Sequence, residues 1–224
     1  MIPIRDTAPC NSTPYVTWSL MAICIVIFLV MQVIPYELSA KLIYLYGMVP
    51  NRYADPQWGL GYGLPFDGYL SFLTSLFLHG NWMHIIFNMW FLWIFADNVE
   101  DQMGRGRFLA FYLICGLLAT LIQWYSSPTL TIPVVGASGA IAGVLAAYYF
   151  IYPYERVVVY FFPVILQVPA VMFLGLWVIF QLYSITTSTF VAGATSDSAL
   201  WAHIGGFVSG AILYRFFLRK DEVV

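Results

Sequence analysis

The segment "TIPVVGASGAIAGVLAAYYFIYP", residues 131–153, decides the fold that this sequence predicts. It is apolar enough to lie in a membrane, yet it contains the polar residue Ser138 among small residues. A helix from Ser138 to Pro153 would have about 15 residues and a length of about 22 Å. That helix is too short to cross about 30 Å of hydrocarbon. We therefore expect residues 131–136 to descend from the membrane surface as shielded, non-helical chain, with Ser138 at a submerged helix N-terminus.

The composition identifies a membrane protein. Of the 224 residues, 61% are hydrophobic and 9% are charged, whereas about 25% of residues are charged in soluble domains. The formal net charge is -2 and no basic block is present, so we expect no nucleic-acid partner. Cys10, Cys24 and Cys115 are widely separated and form no metal or redox motif. We interpret them as packing residues.

Six apolar segments are long enough to be transmembrane helices, and we predict one all-α, polytopic membrane domain over residues 1–224. The first is an uncleaved signal-anchor helix, because a run of 20 apolar residues is longer than the core of a signal peptide. The fourth is the short, submerged helix, and a long loop on the outer side, residues 35–78, follows the first. The predicted spans are residues 15–34, 81–97, 107–126, 136–153, 169–188 and 199–218.

The positive charges predict the orientation. Seven of the nine Lys and Arg residues lie in the N-terminal segment, the second and fourth loops and the C-terminal segment, and the other two, Lys41 and Arg52, lie in the first loop. The positive-inside rule then places both termini in the cytoplasm. Because the chain is compact and shows no transit segment, we expect a multi-pass protein of a bacterial cytoplasmic membrane.

Polar residues gather at one depth of the predicted bundle. His84 and Asn88 are four residues apart and share a helix face, whereas His79 lies about 140° round and is expected to face elsewhere. His203 lies about one turn into the sixth span. With Ser138, these side chains are predicted to lie roughly 5–15 Å beneath the outer surface. Polar groups at membrane depth are costly, so such a cluster indicates function.

Small residues provide a way to bring Ser138 and His203 together. Gly139 and Gly143 form one small-xxx-small face, and Gly206 and Gly210 form another. Such faces allow helix backbones to approach closely. If the fourth and sixth spans pack through them, the Ser138 hydroxyl and the His203 imidazole come within hydrogen-bonding distance.

These residues predict a serine nucleophile with a histidine base. A serine hydroxyl is a weak nucleophile until a base removes its proton. No acidic residue follows His203 at helical spacing, since Asp197 lies in a loop and Asp97 at the inner end of its span, so we predict a Ser138–His203 dyad. His84, Asn88 and the backbone N–H groups of Ser138 and Gly139 would stabilise the oxyanion.

The sequence also resembles the rhomboid family of intramembrane serine proteases. The matching segments are "FLTSLFLHGNWMHIIFNMWFLWIF", "VEDQMGRGRFLAFYLICG", "VVGASGAIAG", "AHIGG" and the N-terminal "IPIRD". The resemblance covers nearly the whole chain and implies the same six-span fold. It also implies that Ser138 is the nucleophile, His203 the base, and His84 and Asn88 the oxyanion donors. Structural roles are implied or predicted for His79, Glu100, Gly104, Gly136, Gly143, Gly206 and Gly210.

Two positions depart from the family pattern. Many members carry an aromatic residue four positions after the serine, where it stacks on the catalytic imidazole, and this chain has Ala142 there. An aromatic residue from another span is then the alternative support for His203. The Trp-Arg pair that many members carry in the first loop is also missing.

The resemblance implies an endopeptidase that cleaves transmembrane segments of other proteins in the lipid bilayer, near the outer face. A proteolytically idle, scaffold-like member that binds transmembrane helices is the alternative. A metal site would require a carboxylate or thiolate near the histidines, and a transporter would require polar residues along the whole path. The sequence favours neither, and we expect no cofactor and no metal.

Overall fold

The computed structural model describes residues 2–65, 68–190 and 199–219, with no side-chain detail for residues 184–190. The described chain is mainly helical and includes a small antiparallel sheet. The helices are α1 (Tyr15–Val33), α2 (Tyr36–Tyr46), α3 (Asn51–Ala54), α4 (Pro56–Gly61), α5 (Ser71–Thr74), α6 (Trp82–Met103), α7 (Arg105–Ser126), α8 (Ser138–Ile151), α9 (Ala170–Phe190) and α10 (Leu200–Phe217). The strands are β1 (Ile2–Asp6), β2 (Arg156–Phe161) and β3 (Val164–Pro169).

Helices occupy the six segments predicted as spans, and these are α1, α6, α7, α8, α9 and α10. By length and composition, two of the described helices could cross a membrane, namely Tyr15–Val33 and Arg105–Ser126. Shorter apolar helical segments are Ser138–Ile151 and Ala170–Tyr183. The number of spans and their orientation stay predictions.

The fourth predicted span has the unusual form that the sequence indicated. Helix α8 begins at Ser138 and has 14 residues, which corresponds to about 21 Å. Residues 131–136 before it are not helical. Because every residue from Gly139 to Tyr148 is buried, α8 is the central helix of the bundle, and α6, α7 and α10 pack around it.

The second predicted span is longer than expected. The sequence placed its end at residue 97, which leaves Glu100 outside the span, but α6 continues to Met103 and Glu100 lies inside the helix. The Glu100 carboxylate is buried and accepts hydrogen bonds from Val16 N (3.0 Å), Thr17 N (2.8 Å) and Thr17 Oγ1 (2.8 Å). These partners stabilise the N-terminus of α1 and satisfy the buried charge, so the acidic residues do not end α6.

The turn after α6 depends on Gly104. Its φ is +77°, a conformation that favours glycine, and α7 begins at the next residue. A Cβ at this position would also lie 3.0 Å from the Arg219 Nε atom. The structural role predicted for Gly104 therefore has a backbone reason.

The expectation of an all-α fold was wrong in one respect, because residues at the N-terminus and in the fourth loop form a sheet. The strand order is β1-β2-β3, both pairs are antiparallel, and Ile2 pairs with Tyr160. Val157 and Val159 of β2 are fully buried in the main core. The sequence contained a β-branched run at residues 157–159, and one of its two partner strands, β1, lies more than 150 residues earlier in the chain.

The long first loop is itself folded into α2, α3, α4 and α5. Arg52 is 1% exposed and holds two separate parts of this loop, since its Nε donates to Pro65 O (2.6 Å) and its Nη1 to Leu45 O (3.1 Å). The location of this loop on the outer side of the membrane stays a prediction.

Candidate active site

Ser138 and His203 form the centre of the site. Ser138 is the first residue of α8, His203 lies in the first turn of α10, and the Ser138 Oγ to His203 Nε2 distance is 2.8 Å. This is the arrangement that the sequence predicted. With Nε2 unprotonated, the hydroxyl donates to the imidazole, which is the geometry needed for removal of the hydroxyl proton.

Close packing of α8 against α10 makes this hydrogen bond possible. A Cβ added at Gly206 would collide with the carbonyl oxygen of Gly139, and one added at Gly210 would collide with the backbone of Gly143. On the other side of α8, a Cβ at Gly143 would lie 2.6 Å from the Cβ of Cys115 in α7. The two predicted small-residue faces therefore pack against each other, and α8 is held closely on both sides.

The other side of the His203 ring meets two residues that the sequence analysis missed. The Gln181 Oε1 atom lies 3.3 Å from His203 Nδ1, and the Trp177 ring centroid lies 6.2 Å from the imidazole centroid. Both residues belong to α9, and their spacing of four, "WVIFQ", is a helical face that could have been noticed. Gln181 Oε1 can accept a hydrogen bond from Nδ1–H of His203, and with the proton on Nδ1 the Nε2 atom is free to accept from Ser138.

The close contact between α8 and α10 favours a small residue at position 142. Ala142 is fully buried, and its Cβ lies 3.3 Å from the position that a Cβ at Gly206 would take. A large aromatic side chain at residue 142 would have to fit into this contact between α8 and α10. The aromatic group near His203 comes from α9 instead.

Asn88 has the properties of an oxyanion donor. Its side chain is 7% exposed, and its Nδ2 atom is buried without a hydrogen-bond partner in the described part of the chain. Asn88 lines the same cavity as Ser138 and His203. A buried amide donor that lacks a partner costs free energy in the resting protein, and an oxyanion formed in this cavity could accept its hydrogen bond.

His84 lies against the chain that leads into α8. A Cβ at Gly136 would lie 2.6 Å from His84 Nε2, and Gly136 has a φ of +126°. Both facts require glycine at this position. The backbone N–H groups of Ser138 and Gly139 belong to the first turn of α8, where no intrahelical acceptor is available. The predicted donors therefore come from α6 and from the N-terminus of α8.

The expectation that His79 faces away from His84 was wrong. The two rings make an edge contact with a centroid distance of 5.1 Å. His79 precedes α6, which begins at Trp82, so the helical angle of 140° does not apply to it. His79 is 4% exposed, and burial, with a smaller effect from His84, lowers its pKa to about 4. It is therefore uncharged at neutral pH and supports His84 through packing.

The dyad lies in a cavity of about 390 Å³ whose walls come from four helices. The polar part of the lining consists of Asn81, His84, Asn88, Ser138, Gln181 and His203. Apolar side chains supply most of the rest, and those of α6 and α8 are Met83, Phe87, Phe91, Ile141 and Leu145. An activated hydroxyl beside several N–H donors, in a mainly apolar cavity, can perform acyl transfer on an apolar peptide. Asp197, which the sequence placed in a loop, lies outside the described residues.

Comparison with known proteins gives consistent matches. A family profile described as Rhomboid domain matches residues 67–220. "Rhomboid protein 1, mitochondrial" of Saccharomyces cerevisiae is 28% identical over 155 residues, which are 67% of this chain and 42% of that protein. "Rhomboid protease GluP" of Bacillus subtilis is 30% identical over 138 residues, 61% of this chain and 24% of that protein.

A further relative is "Putative rhomboid protease YdcA" of Bacillus subtilis, 31% identical over 96 residues, 43% of this chain and 48% of that protein. This chain therefore spans less than half the length of each of these three relatives.

Proposed function

This chain belongs to the rhomboid family, a family of membrane-embedded proteins, and on that premise we propose that it is an intramembrane serine endopeptidase. The observation that carries the proposal is the 2.8 Å hydrogen bond between Ser138 Oγ and His203 Nε2 within the cavity. Several relatives are named proteases, which supports the same activity.

The proposed reaction begins with Ser138. As the Ser138 Oγ attacks the carbonyl carbon of the scissile bond, His203 Nε2 takes the hydroxyl proton, and Gln181 Oε1 accepts a hydrogen bond from the Nδ1 proton. The carbonyl oxygen becomes an oxyanion and is stabilised by N–H donors from Asn88, His84 and the first turn of α8. His203 then gives its proton to the leaving amine, and the C–N bond breaks.

The second half of the reaction releases the product. A water molecule gives a proton to His203 Nε2 and attacks the acyl group on Ser138, which forms a second tetrahedral intermediate. When that intermediate collapses, the bond to Ser138 Oγ breaks and the oxygen recovers its proton from His203. The acyl part of the substrate leaves as a carboxylic acid, and the resting enzyme is restored.

We propose transmembrane segments of other membrane proteins as substrates, cleaved near the outer face of the bilayer. The apolar lining of the cavity suits such a segment. The segment has to unwind locally, because carbonyl groups within a helix are hydrogen-bonded and inaccessible to Ser138. We further propose a single six-span domain with both termini in the cytoplasm and, by the sequence argument, a location in a bacterial cytoplasmic membrane.

The test incubates the purified chain in detergent with a single-span model substrate. We expect Ser138→Ala and His203→Ala each to lower the cleavage rate by about 10⁴-fold or more, because the two residues act as one unit. Ser209→Ala is the matched control, because Ser209 is another buried serine and its Oγ donates to Gly205 O at 2.7 Å. The cleavage rate of this variant should stay within about threefold of the wild-type rate.

Two results would contradict the proposal. Undiminished cleavage by Ser138→Ala would place the nucleophile elsewhere. A wild-type chain that cleaves none of several substrates, but co-purifies with them intact, would indicate the scaffold function.

A further inference from the structure

The N-terminal segment, which contains β1, lies beside the C-terminal half of α6 rather than beyond the end of that helix. Three hydrogen bonds follow the N-terminal segment along this helix: Asn11 N donates to Asp101 Oδ2 (3.0 Å), Asn98 Nδ2 to Ala8 O (3.1 Å) and Trp90 Nε1 to Pro3 O (2.8 Å). From Asp101 to Trp90, α6 rises by about 16 Å towards the end that carries His84. Pro3 belongs to β1, whereas Ala8 and Asn11 follow that strand, so the N-terminal segment runs along α6 from its C-terminal end and β1 reaches the level of the cavity, which Phe91 lines.

The two edges of this sheet are in different environments. β1 lies against α6, which donates the Trp90 hydrogen bond to Pro3 O. β3 is the strand at the other edge, and in the described part of the chain no further strand pairs with it. The edge of β3 that faces away from β2 is therefore open.

The register of the hairpin identifies the backbone groups at this open edge. Phe161 pairs with Val164 across a two-residue loop, so these residues form a hydrogen-bonded pair, and such pairs alternate along an antiparallel ladder. Leu166 and Val168 therefore bond to β2. Ile165 and Gln167, between them, direct their N–H and C=O groups away from the sheet.

The side chains of β3 do not suit a strand in water. Val164 is 47% exposed, Ile165 64% and Leu166 42%. An apolar strand with a free edge is liable to pair with another chain. In lipid its unpaired N–H and C=O groups would be equally costly. The edge thus fits a partner that supplies both apolar side chains and an extended backbone.

Continuity with the candidate active site identifies that partner. β3 ends at Pro169 and α9 begins at Ala170, so the strand leads directly into the helix that carries Trp177 and Gln181. Trp177 lies about 10 Å along α9 from this junction. A transmembrane segment that has unwound for cleavage has the same unpaired backbone groups and the same apolar side chains as β3.

We propose that the open edge of β3 binds the substrate as an added β-strand. The bound part of the substrate lies between the scissile bond and the inner face of the membrane. Ile165 and Gln167 supply the backbone hydrogen bonds, and their pairing keeps the substrate extended between the cavity and the inner face. The proposal rests on the proposed protease function and assigns the sheet the role of a substrate-binding site.

Proline substitution tests the backbone edge. Ile165→Pro removes an outward N–H group and blocks pairing, but it leaves the β2–β3 ladder intact, as proline at an edge position does. We expect KM for a single-span substrate to rise by about fivefold, while kcat changes by less than about twofold. Ile165→Val keeps the backbone N–H and is the matched control, with the wild-type KM.

Labelling of Ser138 by a fluorophosphonate separates this proposal from the protease function. If the wild type is neither labelled nor active on any substrate, the proposed function fails. If Ile165→Pro is labelled at the wild-type rate and cleaves with the wild-type KM, the β3 proposal is overturned.

Cross-linking tests the contact without requiring cleavage, even if the proline variant does not fold. The chain for this experiment carries Ser138→Ala and Ile165→Cys, and its exposed Cys10 is replaced by serine. It is oxidised together with substrates that contain one cysteine on the inner side of the cleavage site. The control is Ile179→Cys in α9, where Ile179 is 61% exposed. A disulfide to substrate at position 165 and not at 179 is expected. Equal cross-linking at both positions, or cross-linking between two copies of the chain, would overturn the proposal.

Discussion

Among single residues, Asn88 illustrates how a cost in the resting protein can serve catalysis. Its buried Nδ2 has no partner within the described residues, and an unsatisfied buried donor costs about 1–3 kcal/mol. If an oxyanion accepts from this group, the cost is relieved in the transition state and not in the resting state. Interactions of this kind raise kcat, because they are stronger in the transition state than in the ground state.

We therefore expect Asn88→Ala to lower kcat by about 10²–10³-fold with little change in KM, as loss of an oxyanion donor does elsewhere. Asn98→Ala is the matched control on the same helix, since Asn98 Nδ2 donates to Ala8 O and has no place in the cavity. It should lower the thermal unfolding temperature but leave kcat of the folded protein unchanged. A kcat within threefold of wild type for Asn88→Ala would exclude Asn88 as a donor.

Among the secondary-structure elements, the contact between α8 and α10 determines whether the dyad forms. Gly206 meets the Gly139 carbonyl oxygen, which is a backbone atom that cannot rotate away as a side chain could. Any added carbon must therefore push the two helices apart. Ser138 and His203 lie on these helices, so the same movement lengthens their hydrogen bond.

Gly206→Ala should destabilise the protein by about 1–3 kcal/mol, as overpacking of a core does. It should also lower cleavage by about 10²-fold, because a displacement of about 1 Å has that effect on catalysis. Gly175→Ala, in α9, is the control, because no heavy atom lies within 4 Å of the position of its Cβ. It should be neutral or stabilising by up to about 1 kcal/mol. Chemical unfolding in detergent and substrate cleavage measure both effects, and equal stability of the two variants would contradict this account.

In the molecule as a whole, the sheet is attached to the helical bundle through a carboxyl group. The Tyr148 hydroxyl of α8 donates to Asp6 Oδ2 at 2.5 Å, so β1 is held to the central helix. Burial raises the pKa of Asp6 above 3.8, and the hydrogen bond from Tyr148 partly opposes this change. The folded protein therefore holds the Asp6 proton more tightly than the unfolded chain does.

The sign of the pH dependence follows from this raised pKa. The contribution of Asp6 to stability is present below pH 3.8 and is lost as the pH rises through the higher pKa of the folded state. Asp6→Asn removes the ionisation but keeps an oxygen that can accept from Tyr148. The difference in unfolding temperature, Asp6→Asn minus wild type, should therefore be more positive at pH 7 than at pH 4. A difference that is equal at the two pH values, or reversed, would contradict the assignment.

The sequence by itself determined the features that repeat over short distances in the chain. Apolar runs predicted where the long helices lie, and helical spacing placed His84 with Asn88. The glycine pairs identified one helix face on α8 and one on α10 that allow close packing, and the length of the apolar run after Ser138 predicted a short helix. Each of these properties depends on residues within a few turns of one another, so a single sequence is enough to reveal them.

Only the tertiary structure decided the contacts between distant segments. Gln181 and Trp177 meet His203 from another helix, Glu100 accepts hydrogen bonds from the start of α1, and Ile2 pairs with Tyr160. His79 meets His84 because the chain is not yet helical at residue 79. No local periodicity encodes such pairs, because each depends on how the whole chain packs. The sheet and the contacts of Gln181 and Trp177 with His203 could therefore be recognised only in the folded protein.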